Sequence, residues 1–96
     1  AVGGYGVVSV ASQVVGLKMK DMIDCYVSGR IVEAAKKNAE LLDIFATLFC
    51  TANPIPVKAA LNMMGINVGG VRLPLVSADQ KVKEELQRSL RDLKLL

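Results

Sequence analysis

Histidine is absent from this 96-residue chain, and cysteine occurs only at Cys25 and Cys50. No serine therefore has a candidate base, and no pair of carboxylates falls in an expected cleft, so triad and general acid–base chemistry lack their parts. Two cysteines without histidine also cannot form a zinc site of ordinary spacing. The sequence predicts no catalytic residue, no metal site and no cofactor in this chain.

Aromatic residues are scarce, with two tyrosines and two phenylalanines in the whole chain. The net charge is +3, but basic residues are interleaved with acidic ones, as at Lys20 and Asp21. A nucleic-acid-binding face needs a continuous basic stripe with exposed aromatic rings, whereas mixed charges are typical of solvated helix faces. We therefore expect no nucleic-acid partner.

Long hydrophobic runs are missing as well. The most apolar window, residues 41–50, contains Asp43 and is far shorter than the roughly 20 residues that a membrane span requires. Residues 1–4 show neither the basic region nor the long apolar region of a signal peptide. We expect no membrane partner and a location in the reducing cytoplasm, with both cysteines free on the apolar sides of helices.

What is present is apolar for so short a chain: 52% of the residues are hydrophobic, only 22% are charged, and the mean hydropathy is +0.39. A single domain of this size buries only about 60–65% of the surface of its unfolded chain. The remaining apolar residues should form exposed patches, which mark interfaces. Composition thus predicts that the chain packs against something outside it.

The N-terminal part predicts one strand. Val7, Val8 and Val10 form a nearly continuous β-branched run, typical of a strand buried on both faces of a parallel sheet. The preceding Gly3-Gly4-Tyr5-Gly6 is interpreted as a turn, because phosphate-binding glycines follow a strand and open a helix. No second segment resembles a strand, and a lone parallel strand cannot satisfy its own backbone groups. We therefore expect its partner strands outside this sequence.

Four helices are predicted after this strand, and Gly29 is expected to end the first. The first three are expected at residues 14–28, 31–49 and 53–65. The last is expected to start after a loop at residues 66–76. The residues expected to face inward are Val15, Met19, Met22, Ile23, Tyr26, Val27, Ala34, Ala35, Leu41, Leu42, Phe45, Leu48, Phe49, Val82, Leu86, Leu90 and Leu93. On the outer face of the last helix, Glu84 and Arg88 are spaced for an i,i+4 ion pair.

The run Asn53-Pro54-Ile55-Pro56-Val57-Lys58 predicts a helix start, because proline is tolerated where backbone N–H groups have no intrahelical partner. Asn53 is expected to cap that helix, and Gly65 to end it. Ser77 and Gln80 are expected to form a capping box at the start of the last helix.

One strand, one helix and three further helices match the eighth βα unit of a (β/α)8 TIM barrel followed by a helical C-terminal extension. The expected fold class is therefore mainly α for the chain itself, and α/β for the barrel to which it would belong. We assign residues 1–29 to the last strand and helix of the barrel, and residues 30–96 to the C-terminal helical extension.

Three motifs carry a resemblance to a known family: Leu48-Phe49, the run from Asn53 to Lys58, and Arg72-Leu73-Pro74-Leu75. They resemble the C-terminal segment of the dihydrodipicolinate synthases, within the family of pyruvate-dependent aldolases that also contains N-acetylneuraminate lyase. The resemblance extends over nearly the whole chain, in register. It covers only the C-terminal segment of such an enzyme.

The resemblance implies a lyase that forms a Schiff base between an upstream lysine and pyruvate, and then condenses the pyruvate with aspartate semialdehyde. That reaction belongs to lysine and diaminopimelate biosynthesis, and the family implies a cytoplasmic homotetramer. This segment would be inactive alone and structural in role, closing the barrel and lining the pyruvate pocket with Val8. The alternative interpretation of Val8 is an ordinary valine of the barrel core.

Other interpretations stay open for particular residues and for the whole chain. Lys58 is a lysine in apolar surroundings, but the resemblance places the Schiff-base lysine upstream, so we assign Lys58 a structural role. Ser12 is expected to cap the first helix, with a ligand contact as the alternative. The chain as a whole could instead be a stand-alone helical interaction or dimerisation module that uses its methionine-bearing faces, or part of a related keto-acid aldolase such as N-acetylneuraminate lyase.

Overall fold

A computed structural model describes residues 2–96 as a helical chain. Its helices are α1 (Ser12–Val27), α2 (Ile31–Thr47), α3 (Ile55–Met63) and α4 (Gln80–Asp92). Within the described residues there is no strand. The mainly α prediction is confirmed, and α1 and α2 begin and end within two residues of their predicted ranges.

The predicted strand at residues 7–10 is not formed. Val7 and Val8 lie in an irregular segment before α1, and both are exposed to solvent. A parallel strand exists only when neighbouring strands pair with its N–H and C=O groups, and the part of the chain that the structure describes supplies none. The valine run therefore leads into α1 without regular structure.

The core lies where α2 packs between α1 and α4, and α3 packs against both of those neighbours. Its buried members are Ala11, Val14, Val15, Met19, Leu41, Ile44, Leu48, Val57, Ala60, Leu86 and Leu90. Leu41 and Ile44 of α2 and Leu48, its C-cap, are spaced at i, i+3 and i+7, which places them on one face. This stripe provides the surface on which the other helices assemble.

Several residues predicted to face inward lie on the outside. In α2, Leu41 is only 1% exposed whereas Leu42 is 56% exposed, because one residue turns the side chain by about 100° around the helix. Phe49 is exposed in the same way, one position after the fully buried Leu48. The same correction applies to three residues of α1, namely Ile23, Tyr26 and Val27.

The two cysteines are both free, but they have different environments. Cys25 is fully buried in α1, as predicted, and behaves there as a small hydrophobic residue. Cys50 is exposed, so its predicted place on the apolar side of a helix is wrong. The reason is that α2 ends at Thr47, so Cys50 does not lie on a helix.

Gly29 and Gly65 end α1 and α3, as predicted. Their φ angles are +83° and +82°, a region that glycine adopts without the steric cost of a Cβ atom. After α3, the N–H of Gly65 donates to the Asn62 carbonyl (3.1 Å) and the N–H of Ile66 to the Leu61 carbonyl (2.9 Å). These bonds satisfy carbonyls that have no donor within the helix, and the chain turns sharply into the following loop.

The predicted cap of α3 is wrong by one residue. Pro54, rather than Asn53, occupies the N-cap position, and Pro56 lies at the second helical position. The Pro54 carbonyl accepts the first helical bond, from the Lys58 N–H at 3.1 Å. Both prolines still lie where their missing N–H groups cost nothing, so the principle behind the prediction holds.

The predicted capping box of Ser77 and Gln80 is also wrong. α4 begins at Gln80, and Asp79 Oδ1 accepts a bond from the Val82 N–H at 2.8 Å. A carboxylate directly before a helix satisfies an otherwise unpaired N–H group and interacts favourably with the helix dipole. Asp79 therefore performs the capping function that the spacing suggested for Ser77.

Candidate functional site

The predicted substrate-binding residue, Val8, lies fully exposed in the segment before α1. The segment is attached to the helix by Ser9, whose Oγ accepts from the Ser12 N–H at 3.0 Å, while the Ser12 hydroxyl donates to the Ser9 carbonyl at 2.8 Å. Ser9 thus takes the capping role predicted for Ser12. The contribution of Val8 to a pocket stays a prediction.

Lys58 holds the loop that follows α3. Its ammonium group donates to the carbonyl of Gly70, and its side chain is half-buried. One turn further along α3, Asn62 donates to the Gly69 carbonyl at 2.9 Å and accepts from the Val68 N–H at 3.0 Å. These contacts agree with the structural role predicted for Lys58. They also show that Asn62, which the sequence analysis missed, shares that role.

A groove of about 400 Å³ lies between α3, the loop after it and the start of α4, and we name it the α3 groove. Its lining is Ile55, Lys58, Ala59, Asn62, Met63, Gly69, Gly70, Val71, Ser77, Ala78 and Lys83. The walls are mostly apolar, and the two lysines and the Asn62 amide provide polar groups at its surface. The spacing of Lys58 and Asn62, four residues apart on one helix face, is the sequence signal that could have indicated this arrangement.

A polar cluster joins α2 to α4. Ser89 is 1% exposed, and its hydroxyl donates to Asp43 Oδ2 and lies 3.2 Å from Thr47 Oγ1. Arg88 Nη2 also donates to Asp43, at 3.3 Å from Oδ1, so the predicted pairing of Arg88 with Glu84 is wrong. Because Ser89 is almost completely buried, its hydroxyl is out of reach of a substrate. The cluster therefore acts as a link between two helices.

A second polar contact joins α1 to α2, where Lys37 Nζ lies 2.7 Å from Asp21 Oδ2. The hydrogen bond from Lys37 lowers the pKa of the Asp21 carboxyl below its usual value, and Coulombic attraction to Lys37 adds to this effect. The same bond raises the pKa of Lys37. Both groups remain in contact with solvent, so the pair supports the packing of the two helices without forming a reactive centre.

Two kinds of site are not found between residues 2 and 96. No three histidine, cysteine, aspartate or glutamate side chains lie close enough together there to hold a metal ion. None of the helices described above has the length and apolar character needed to cross a membrane.

Comparison with known proteins provides the family. The sequence profile of the Dihydrodipicolinate synthetase family matches residues 1–93. The chain belongs to this family. It is 53% identical over all 96 residues to the 4-hydroxy-tetrahydrodipicolinate synthase of Desulforudis audaxviator, and it spans 33% of that protein.

Solved structures of dihydrodipicolinate synthases share the fold of this member of the family. One, described as the first monomeric variant, matches with a TM-score of 0.94 and 41% identity, over 98% of this chain and 31% of the other. The Acinetobacter baumannii enzyme, solved in complex with pyruvate, matches with a TM-score of 0.89 and 31% identity, over 98% and 32%. The chain thus spans about a third of the length of the relatives it matches.

Both the family and the fold class predicted from the sequence are confirmed. The helical architecture of this dihydrodipicolinate synthetase family member agrees with the C-terminal helical part of a TIM-barrel enzyme. The motifs that indicated the family, such as the run from Asn53 to Lys58, have a structural role in this chain. They start α3 and place Lys58 against the loop after it.

Proposed function

We propose that this chain is the C-terminal segment of a 4-hydroxy-tetrahydrodipicolinate synthase, a lyase that condenses pyruvate with aspartate semialdehyde in lysine and diaminopimelate biosynthesis. The observation that carries the proposal is the match of the entire chain to the Desulforudis audaxviator enzyme at 53% identity. The likeness to the Acinetobacter baumannii enzyme, which was solved with pyruvate, supports the substrate class.

The proposed chemistry begins when a lysine amine attacks the carbonyl of pyruvate and water leaves, which gives an imine. Loss of a methyl proton converts the imine into an enamine, whose carbon attacks the aldehyde carbon of aspartate semialdehyde. In this proposal the reacting lysine lies outside residues 1–96. The bond from Lys58 to the Gly70 carbonyl supports that placement. Lys58 is the best candidate for the reacting lysine within this chain, and its ammonium group is bonded to the loop after α3.

The segment has a structural share in this proposal. Residues 1–29 supply the last strand and helix of the barrel, and residues 30–96 form the helical extension packed beside it. The exposure of Val7 and Val8 supports this assignment, because a β-branched pair left in solvent is what a strand removed from its sheet would show. The enzyme would be cytoplasmic and would assemble as a homotetramer.

Val8 would line the pyruvate pocket. Side chains alternate along a strand, so Val7 and Val8 would point to opposite sides of the barrel wall. An apolar branched side chain on the pocket side would pack against pyruvate and exclude water from the imine. Val7 would then pack between the barrel and its outer helices.

Reductive trapping tests the proposed reaction. The intact protein that contains this chain is incubated with pyruvate and sodium borohydride, which reduces an imine to a stable secondary amine. Mass spectrometry of the digested protein is expected to find the adduct on a lysine outside residues 1–96. An adduct on Lys58, or on another lysine of this chain, would overturn the assignment of roles, and no adduct at all would overturn the reaction.

The pair Val8→Ala and Val7→Ala tests the pocket contact in the same protein. Val8→Ala is expected to raise KM for pyruvate about tenfold, since removing methyl groups from an apolar pocket typically weakens discrimination by such factors. Val7→Ala is expected to leave KM unchanged and to lower the thermal midpoint instead. Steady-state kinetics at saturating aspartate semialdehyde measures the first effect. Equal KM values for the two variants would contradict the proposed orientation of Val8.

A further inference from the structure

Acidic residues are absent between Asp43 and Asp79, and the only charged residues within that stretch are Lys58 and Arg72. Elsewhere the basic residues alternate with acidic ones. Charges at a protein surface interact over a Debye length of about 8–10 Å at moderate salt. The segment that contains α3 and its following loop therefore carries positive charge that its own residues do not neutralise.

Apart from Lys83, the lining of the α3 groove belongs to this segment. Lys58 lines it from α3 and Lys83 from the first turn of α4, and no carboxylate is part of its lining. The salt bridges of the described chain involve Lys20, Arg30, Lys37 and Arg88, so neither groove lysine has an acidic partner among residues 2–96. An ammonium group has three donors, and Lys58 uses one of them for the Gly70 carbonyl. Both lysines retain donors for an anion.

The neighbouring groove provides a contrast within the same molecule. It measures about 350 Å³ and is lined by Lys81, but Asp79 and Glu85 are also part of its lining. The positive charge of Lys81 in that groove therefore has two carboxylates beside it. On the far side of Lys58, a further groove of about 340 Å³ is lined by Arg72 and again by no carboxylate. Excess positive charge is thus concentrated around Lys58.

The remaining lining of the α3 groove indicates the rest of the ligand. Ile55, Ala59, Met63 and Val71 provide an apolar surface, and methionine adapts its shape to what it contacts. A pocket with an apolar wall and a few polar groups fixes the orientation of a ligand that has both kinds of surface. An inorganic ion would leave the apolar wall uncovered.

We propose that the α3 groove binds a small organic carboxylate, with its carboxylate group between Lys58 and Lys83 and its apolar part over Ala59 and Met63. The geometry combines two lysines that lack acidic partners with an apolar wall in a volume that suits a molecule of several carbon atoms. The site is independent of the proposed pyruvate pocket, since it is built from α3, α4 and the loop between them.

Methionine-methyl NMR of the intact protein that contains this chain tests the proposal, with hexanoate as the probe and hexanamide as its neutral match. Hexanoate is expected to shift the Met63 methyl signal in a saturable way and to leave Met22, which lies outside the groove, unchanged. Hexanamide is expected to cause a much smaller shift. Equal shifts with both probes, or no shift at Met63, would overturn the proposal.

Three lysine variants locate the carboxylate contact. Lys83→Met is expected to raise the Kd for hexanoate about tenfold, because it removes a charge-assisted hydrogen bond, and Lys83→Arg to restore most of the affinity. Lys81→Met is the matched control, since Lys81 lies two residues away on the same helix and lines the other groove. Equal weakening by Lys81→Met and Lys83→Met would show a general charge effect and contradict the site.

Discussion

At the scale of single residues, the most constrained polar group is the hydroxyl of Ser89. It lies in the interface of α2 and α4 and is bonded to Asp43, while Thr47 is 3.2 Å away. A buried hydroxyl costs little as long as it keeps a hydrogen-bond partner, and a bond to a charged carboxylate is stronger than one between neutral groups. Ser89 therefore contributes to stability through its contact with α2. No sequence pattern indicates that contact.

Replacing Ser89 by alanine is expected to destabilise the intact protein by about 1–2 kcal/mol, since it removes the hydrogen bond from the buried hydroxyl to the charged carboxylate of Asp43. The measurement is the thermal midpoint of unfolding, followed by circular dichroism. Gln87→Ala is the control, because Gln87 is exposed on the same helix. A midpoint shift of the same size in both variants would show that Ser89 has no special part in stability.

The contact between Asp21 and Lys37 predicts a pH dependence. Because the pKa of Asp21 is lower in the folded chain than its unfolded value near 3.9, the contact stabilises the fold above that unfolded value. The stabilisation is lost as the pH falls through the folded pKa. An NMR titration of the Asp21 carboxyl is expected to give a pKa below the usual aspartate value.

Lys37→Met is expected to return the Asp21 titration toward that usual value, because the hydrogen bond from Lys37 is the largest cause of the shift. Lys36→Met is the control, since Lys36 is not among the groups that act on Asp21. If both variants left the titration of Asp21 unchanged, the contact would not exist in solution.

At the scale of elements, α2 is the helix on which the core depends. Its stripe of Leu41, Ile44 and Leu48 is almost completely removed from solvent. Helix α4 completes the core from the other side with Leu86 and Leu90. Periodicity predicted Leu41 and Leu48 of this face, but it missed Ile44 and included Leu42, which lies one position around the helix.

The adjacent leucines of α2 provide a matched pair of substitutions. Leu41→Ala is expected to destabilise the intact protein by roughly 3 kcal/mol, because it leaves a cavity in a packed core. Leu42→Ala is expected to cost less than about 0.5 kcal/mol, as is usual for exposed positions. Chemical denaturation measures both. Equal losses would contradict the placement of Leu42 on the outer face.

At the scale of the whole molecule, apolar side chains remain uncovered along the described chain, from the segment before α1 to Leu73 and Val76 after α3. Val7, Val8, Leu17 and Val27 are all exposed in the described structure. Composition predicted such patches, because a chain of this length cannot bury so many hydrophobic residues. Those in the N-terminal segment and α1 lie where the proposed barrel contact would fall.

Hydrogen exchange tests that assignment. In the intact protein, the amides of residues 7–10 are expected to exchange slowly, because neighbouring strands would pair with them. In the 96-residue chain by itself they are expected to exchange at once, since the structure shows no partner for them within residues 2–96. The amides of α4 serve as the internal reference in both proteins. Rapid exchange of residues 7–10 in the intact protein would contradict their proposed role as a strand.

The sequence alone was enough to determine the family, the mainly α character of the chain, and the ends of α1 and α3. These follow from local chemistry: the residues from Asn53 to Lys58 permit a helix start, and Gly29 and Gly65 adopt a backbone conformation that other residues avoid. Burial of Cys25 followed in the same way from its position in an apolar helix.

Only the tertiary structure decided which partner each polar group takes and which apolar residues are covered. Arg88 binds Asp43 of α2 rather than Glu84 of its own helix, and Lys58 binds the Gly70 carbonyl. Asp79 caps α4 in place of the predicted Ser77. The partners of Arg88 and Lys58 depend on distances between separate segments of the chain, whereas periodicity and capping signals describe only neighbours along it. The valine run shows the same limit, because a strand exists only where another strand lies beside it.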